Sequence, residues 1–231
     1  MILHGLQSTT LLDYPGRLAC TVFTGNCNFR CVYCQNTPLV LRPEEEPEVP
    51  EEQLFALLKK RRGILQGVCI TGGEPTLQED LEDFIRRIRE YGYAVKLDTN
   101  GYRPDTVRKL LEAGLLDYVA MDIKTDRERY PAITQIKDLE LSLIEETVRL
   151  LMDGDTDYEF RTTVVAEYYD ETAAERIGRW LSGCRRYVLQ SFRDQESVLC
   201  PGLHPRSREE TEHYAEILRQ TIGTVEIRGT D

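Results

Sequence analysis

Past its first sixteen residues the chain alternates short β-rich runs with runs of helical period, and this alternation restricts the fold more than any single motif does. The β-rich runs are Arg17–Thr24, Gly67–Thr71, Tyr93–Asp98, Leu116–Asp122, Tyr158–Ala166 and Arg186–Phe192. Helical patterns fall between them at Glu51–Arg62, Gln78–Tyr91, Asp105–Ala113, Leu141–Met152 and Glu171–Leu181, with Gly63, Gly92, Gly114 and Gly183 where these helices should stop. A last helix is expected from "SREE", where Ser207 and Glu210 have capping-box spacing, and a short run "TVEIRG" follows it. Strand-then-helix units in strict succession imply parallel strands joined by right-handed crossovers. The expectation is therefore an α/β single domain over residues 1–231. Six such units are fewer than the eight of a closed barrel, which predicts a partial (β/α)6 barrel of parallel strands, with a doubly wound sheet as the competing topology.

Two stretches interrupt the rhythm. "LRPEEEPEVPEE", residues 41 to 52, places three prolines among six glutamates and is read as an exposed loop. "RDQESVLCPGLHPR", residues 193 to 206, has no period and is read as another loop. The net charge of −11 and pI near 4.9 exclude nucleic acid or an anionic membrane as the main partner, because phosphate binding needs clustered Lys and Arg. "MILHGLQSTTLLDYPG" has neither a basic leader nor an apolar run of signal length, and no run elsewhere approaches membrane-spanning length. A cytoplasmic protein is expected. In that reducing compartment seven cysteines read as metal-binding or catalytic before they read as disulfides.

The unusual residues all fall at strand ends. "GNCNFRCVYCQN" follows the first run and "GGEP" the second. "DTNG" follows the third, "DIK" ends the fourth and "LQSF" ends the last. Parallel α/β architectures open the carboxyl ends of their strands on one face, where sites are built. Cys27, Cys31 and Cys34 form C-x3-C-x2-C on the first of these loops. Structural zinc closes its tetrahedron with four Cys or His ligands, and the local stretch offers no fourth. An iron-sulfur cluster held by three thiolates leaves one iron open to a substrate. Both readings, and that of buried structural thiols, stand on the spacing alone. Cys20 and Cys69 lie within strands and read as small apolar residues, while Cys184 and Cys200 carry no assignment.

C-x3-C-x2-C with Tyr33 before the third cysteine, followed by "GGEP" one strand later, resembles the radical S-adenosylmethionine superfamily. The segment "LLDYPGRLACTVFTGNCNFRCVYCQN", with "DTNG" and "MDIK", is similar to the glycyl-radical-enzyme activating proteins, and among these to the activators of anaerobic ribonucleoside-triphosphate reductase. The resemblance implies a 4Fe-4S cluster on Cys27, Cys31 and Cys34, with S-adenosyl-L-methionine on the open iron. It implies reductive cleavage to a 5'-deoxyadenosyl radical that takes hydrogen from a glycine of a partner enzyme, with an electron donor such as flavodoxin or ferredoxin. No residue beyond the cluster ligands is expected to be catalytic.

The same resemblance assigns the cofactor contacts. Gly72 and Gly73 let backbone approach the methionine amino group, with Glu74 nearby. Asp98, Thr99 and Asp122, with a carbonyl near Ala120, are expected around a monovalent cation or the methionine carboxylate, and Lys124 pairs with that carboxylate. Tyr33 and Asn36 are expected against the adenine, and Arg161 against a substrate carboxylate. Phe192 stands where some relatives carry a histidine, leaving Gln190 as a substitute adenosine contact. The rival functions are a small-molecule radical enzyme such as a 7-carboxy-7-deazaguanine synthase and a non-enzymatic zinc or iron-sulfur module.

Overall fold

A computed structural model describes residues 1 to 229. Its strands are β1 (Leu3–Thr10), β2 (Ala19–Thr24), β3 (Gly67–Gly72), β4 (Ala94–Thr99), β5 (Tyr118–Asp122), β6 (Asp157–Val164), β7 (Arg186–Ser191) and β8 (Thr224–Arg228), ordered in one sheet as the chain runs. Its helices are α1 (Thr37–Leu41), α2 (Glu51–Lys60), α3 (Leu81–Glu90), α4 (Pro104–Glu112), α5 (Tyr130–Thr134), α6 (Leu141–Asp153), α7 (Glu171–Trp180) and α8 (Arg208–Leu218). The α/β class and the parallel strands match the expectation, but the strand count of eight exceeds the expected six. The closing run is the full strand β8, and the opening residues supply β1, antiparallel to β2. Among the described residues no helix is long and apolar enough to cross a membrane.

The chain packs as two compact units interleaved in sequence. The first gathers residues 1–28, 36–120 and 143–157. Here β1 pairs antiparallel with β2, and β2, β3 and β4 pair in parallel, Thr24 opposite Gly72. α3 shows why the sequence pattern is readable: Leu81, Phe84, Ile85 and Ile88 form one apolar stripe, and all four are buried. "DYPG" makes the turn between β1 and β2. Arg17 N–H donates to the Tyr14 carbonyl at 3.2 Å, with Pro15 and Gly16 between and Gly16 at φ +72°, the arrangement of a type II turn. Tyr14 is buried against Tyr118 with ring centroids 6.0 Å apart, and Asp13 accepts from the Thr21 hydroxyl at 2.6 Å. The acidic stretch is not bare loop: Val49 N–H donates to the Leu3 carbonyl at 2.7 Å.

The second unit gathers residues 29–35, 121–142 and the described chain from 158 onward, with β6, β7 and β8 paired in parallel. α8 begins as its capping box predicts, Ser207 accepting from the Glu210 N–H and Glu210 from the Ser207 N–H. The Glu159 side chain in this unit is fully buried. Glu159 on β6 takes both terminal nitrogens of Arg228 on β8, at 2.9 and 2.7 Å. Arg186 on β7 completes the group by pairing with Glu226 at 2.7 and 2.9 Å. A planar guanidinium gripping a carboxylate bidentately compensates burial well, but removing one partner strands the other. The Glu159→Gln variant is expected to lose about 3–5 kcal/mol of unfolding free energy in urea titrations, a cost typical of broken buried pairs.

Candidate functional site

In the first unit the loop leaving β2 turns sharply. Asn26 takes a left-handed conformation, φ +64°, which asparagine tolerates better than most side chains. Its N–H donates to the Leu39 carbonyl at 2.9 Å, and its own carbonyl accepts from Glu74 N–H at 2.7 Å. Gly73 N–H reaches the Thr24 carbonyl at 2.8 Å. The two glycines are needed by this close approach. A Cβ on Gly73 would lie 1.9 Å from the Asn26 carbonyl oxygen, and one on Gly72, at φ +119°, 2.3 Å from Thr24 N. The pair, expected to let backbone approach the methionine amino group, also admits the backbone that leads into the cysteine loop.

Glu74, expected near the methionine amino group, is bonded within the protein. Its carboxylate is buried and accepts from Thr76 N–H at 3.1 Å, the Thr76 hydroxyl, the Thr99 hydroxyl at 2.7 Å and Asn100 N–H at 2.7 Å. Burial raises its pKa, against the pull of these donors. It joins the carboxyl ends of β3 and β4. Thr99 is spent on the same bond. Asn100, which sequence reading passed over, then turns its side-chain amide toward the cysteine loop, 2.7 Å from Asn28 Oδ1 and 3.8 Å from Cys27 Sγ. Asn36 donates to the Gly72 carbonyl at 2.9 Å, tying the far end of the loop to β3.

Asp98 was expected around a monovalent cation or the methionine carboxylate. In the structure its neighbour is the ammonium of Lys96, a fully buried lysine in direct contact with the Asp98 carboxylate on the same face of β4, with Cys69 Sγ 3.6 Å from Lys96 Nζ and 3.7 Å from Asp98 Oδ1. The signal was present in "KLD": residues two apart on a strand share a face.

The second unit holds the other predicted residues. Val32 N–H and Arg30 N–H donate to the carbonyls of Ile133 and Thr134 at 3.1 and 3.0 Å, fixing the loop around Cys31 to α5. Cys31 is buried, and burial pushes its thiol up to about 11. The aperiodic stretch 193–206 clasps this loop. Leu199 N–H reaches the Cys34 carbonyl at 3.1 Å, Cys200 N–H the Val32 carbonyl at 2.9 Å, and the Gln35 amide the Arg193 carbonyl at 2.8 Å. Tyr33, expected against adenine, is buried and donates its hydroxyl to the Lys124 carbonyl at 3.1 Å. Phe192 is buried, and Gln190 lies beside Arg228 in the β7–β8 register.

Asp122, Lys124 and Arg161 do meet. Lys124 Nζ donates to Asp122 Oδ2 at 2.9 Å, and Arg161 donates to Oδ1 from Nε at 3.0 Å and from a terminal nitrogen at 2.9 Å. Burial opposes the charge on Asp122, but Lys124 and then Arg161 outweigh it and hold the carboxyl down to about 2. Lys124 is likewise held well above its ordinary value by Asp122 despite burial. Two cations on one anion leave the trio with one positive charge, a setting that attracts a carboxylate.

Residues 21–177 match the family model of the radical SAM superfamily. The chain belongs to this superfamily. A Methanocaldococcus jannaschii protein named as a candidate glycyl-radical enzyme activating enzyme is 30% identical over 85% of this chain and 82% of its own length. The 7-carboxy-7-deazaguanine synthase of Thermoplasma acidophilum is 25% identical over 80% of this chain and 84% of its own. A solved domain of pyruvate-formate lyase-activating enzyme from Bacteroides vulgatus superposes with a TM-score of 0.58 at 21% identity, covering 71% of this chain and 99% of that one, a likeness of fold.

Radical SAM membership implies a 4Fe-4S cluster and S-adenosylmethionine. The donor set on the loop suits the cluster in kind: none of the three cysteines is in a disulfide, and thiolates are the usual iron-sulfur ligands. The side-chain Nδ2 of Asn28, beside Cys27, is buried without an acceptor. Among the described residues no three His, Cys, Asp or Glu side chains are gathered as a metal-ion site, so the ligand assignment rests on spacing and family.

Two outcomes follow from this geometry. Gly73→Ala should cost about 3 kcal/mol of stability through forced backbone displacement and should lower iron uptake, measured by urea unfolding and iron analysis. Because the folded state holds Asp122 at about 2, below its unfolded value of ~3.9, its contribution to stability is complete above that unfolded value and is lost as pH falls through the folded one. The stability gap between wild type and Asp122→Asn should therefore be widest near neutrality and shrink between about pH 4 and pH 2 in denaturant titrations.

Proposed function

We propose that this radical SAM protein activates a glycyl-radical enzyme. The carrying observation is its relation, over most of both chains, to the candidate activating enzyme of Methanocaldococcus jannaschii. Cys27, Cys31 and Cys34, within eight positions of one loop, are the proposed cluster ligands. When bound, the cluster supplies one electron at low potential to the sulfonium of S-adenosylmethionine.

The chain's own residues hold and orient. Gly72 and Gly73 seat the loop on β3, Glu74 and Thr99 lock β3 to β4, and Asn36 closes the loop's far end. Lys124 and Arg161, sharing Asp122, are the proposed receivers of a carboxylate from the methionine moiety or the substrate. Tyr33 holds the Lys124 backbone through its carbonyl. Lys96 donates to the Asp98 carboxylate within β4. The partner is the anaerobic ribonucleoside-triphosphate reductase, by the resemblance of "LLDYPG" and of Gln35 after the third cysteine. A net charge of −11 suits a contact surface that is neutral or basic on the partner and on an electron donor of flavodoxin or ferredoxin type. Its place is the cytoplasm, where thiols stay reduced.

The 7-carboxy-7-deazaguanine synthase relative supports a second reading with a small-molecule substrate. One experiment separates them. Anaerobically reconstituted protein, S-adenosylmethionine and a strong reductant are mixed with an anaerobic ribonucleotide reductase and followed by electron paramagnetic resonance. A glycyl radical doublet on the reductase is expected, and it should vanish in each Cys→Ala variant of the three. S-adenosylmethionine turnover without that doublet would favour the small-molecule reading.

A further inference from the structure

Two asparagines beside the first cysteine are not accounted for by any of the roles above. Asn100 is 4% exposed, and every polar atom of the residue that faces this loop is oriented. Its backbone N–H is held by Glu74 at 2.7 Å, and its Oδ1 accepts from Tyr102 N–H at 3.0 Å. That second bond decides which way the carboxamide points: the oxygen is turned to its own following turn, so the NH2 group must face the cysteine loop. There Nδ2 lies 2.7 Å from Asn28 Oδ1 and 3.8 Å from Cys27 Sγ.

Asn28 mirrors it. Its Oδ1 receives Asn100 and, at 3.8 Å, the Cys27 thiol, while its own Nδ2 is buried with no acceptor in the protein. Leaving a buried amide N–H without a partner is costly, and a fold retains such a group where a further acceptor completes it. The protein around this atom supplies none. Sulfur on an iron-sulfur cluster accepts such bonds: with the cluster bound, a Cys27 thiolate would have no proton to give and would be an acceptor only. Metal-bound ligands are commonly oriented by this kind of outer partner.

We propose that Asn28 and Asn100 form a carboxamide pair that donates hydrogen bonds to the Cys27 end of the cluster, orienting Cys27 and raising the cluster's reduction potential. They are positioning residues; neither touches the reacting carbon or sulfonium. Hydrogen bonds to cluster sulfur stabilise the reduced, more negative state, so their loss makes reduction harder. This rests on the cluster reading above, and the test keeps the two apart.

The protein is prepared with 15N in its asparagine side chains, reconstituted with iron and sulfide without oxygen, reduced, and examined by pulsed electron paramagnetic resonance. Wild type should show 15N coupling to the reduced cluster. In Asn100→Leu, close in volume but without N–H donors, the coupling should fall and the midpoint potential of the S-adenosylmethionine-free cluster should move to more negative values, with Asn28→Leu moving it the same way. A loaded wild-type cluster without 15N coupling overturns the inference and leaves the cluster reading standing. A loaded Asn100→Leu cluster with unchanged coupling and potential overturns it as well. If Asn100→Leu takes up no iron, the wild-type spectrum and Asn28→Leu decide. A wild-type protein that takes up no iron removes the cluster reading and this inference together.

Discussion

The buried carboxylate of Glu74 is the fixed point of the first unit's site. Its side chain receives four donors from Thr76, Thr99 and Asn100, and its own N–H is bound to the carbonyl of Asn26, so one residue ties the loop after β2, the end of β3 and the end of β4. A carboxylate out of water is tolerated only when its lone pairs are taken, and here they are. Glycine at position 73 is the condition for this bond, because a side chain there would collide with the Asn26 carbonyl that Glu74 holds, and one at position 72 would collide with the Thr24 backbone. Asn100 inherits its orientation from Glu74 and passes it to Asn28 and Cys27. The cysteine loop is thus shaped by protein before iron arrives.

The second unit achieves a similar end with charge. Asp122 is shared by Lys124 and Arg161, and their combined field outweighs its burial. An anion between two cations is rigid, and it leaves one positive charge to meet a ligand carboxylate. Tyr33 and Tyr130 hold the Lys124 backbone on either side, through its carbonyl and its N–H at 3.1 Å each. The group of Glu159, Arg186, Glu226 and Arg228 balances its charges internally and serves stability.

Much of this was legible in the sequence because periodicity and strand-end position are local signals. Each of the six predicted strands is present within about three residues of its expected bounds, and the placement of "GGEP", "DTNG" and "DIK" at strand ends holds. β1 was missed because "LHGLQSTT" mixes burial without a two-residue rhythm, and as an antiparallel strand it lies outside the βα repeat that revealed the others. The individual site roles were harder to read. Glu74, Thr99 and Asn36 carry motif positions, but the protein atoms they bond lie some tens of positions away, which no local pattern reports. Lys96 and Asn100 went unnoticed because a lysine in a strand and an asparagine in a turn are ordinary; only burial makes them exceptional. The stretch 193–206 looked like plain loop because its grip on Val32 and Cys34 is made by backbone, which has no sequence signature.

The central claim is that three loop cysteines and the frame behind them support reductive cleavage of S-adenosylmethionine. It is tested most directly by adding S-adenosylmethionine and excess reductant to the anaerobically reconstituted protein and measuring methionine and 5'-deoxyadenosine by chromatography. Equal amounts of the two, formed by wild type and absent from Cys27→Ala, Cys31→Ala and Cys34→Ala, are the predicted result. Zinc bound in place of iron, or a loaded cluster that leaves S-adenosylmethionine intact, would contradict it.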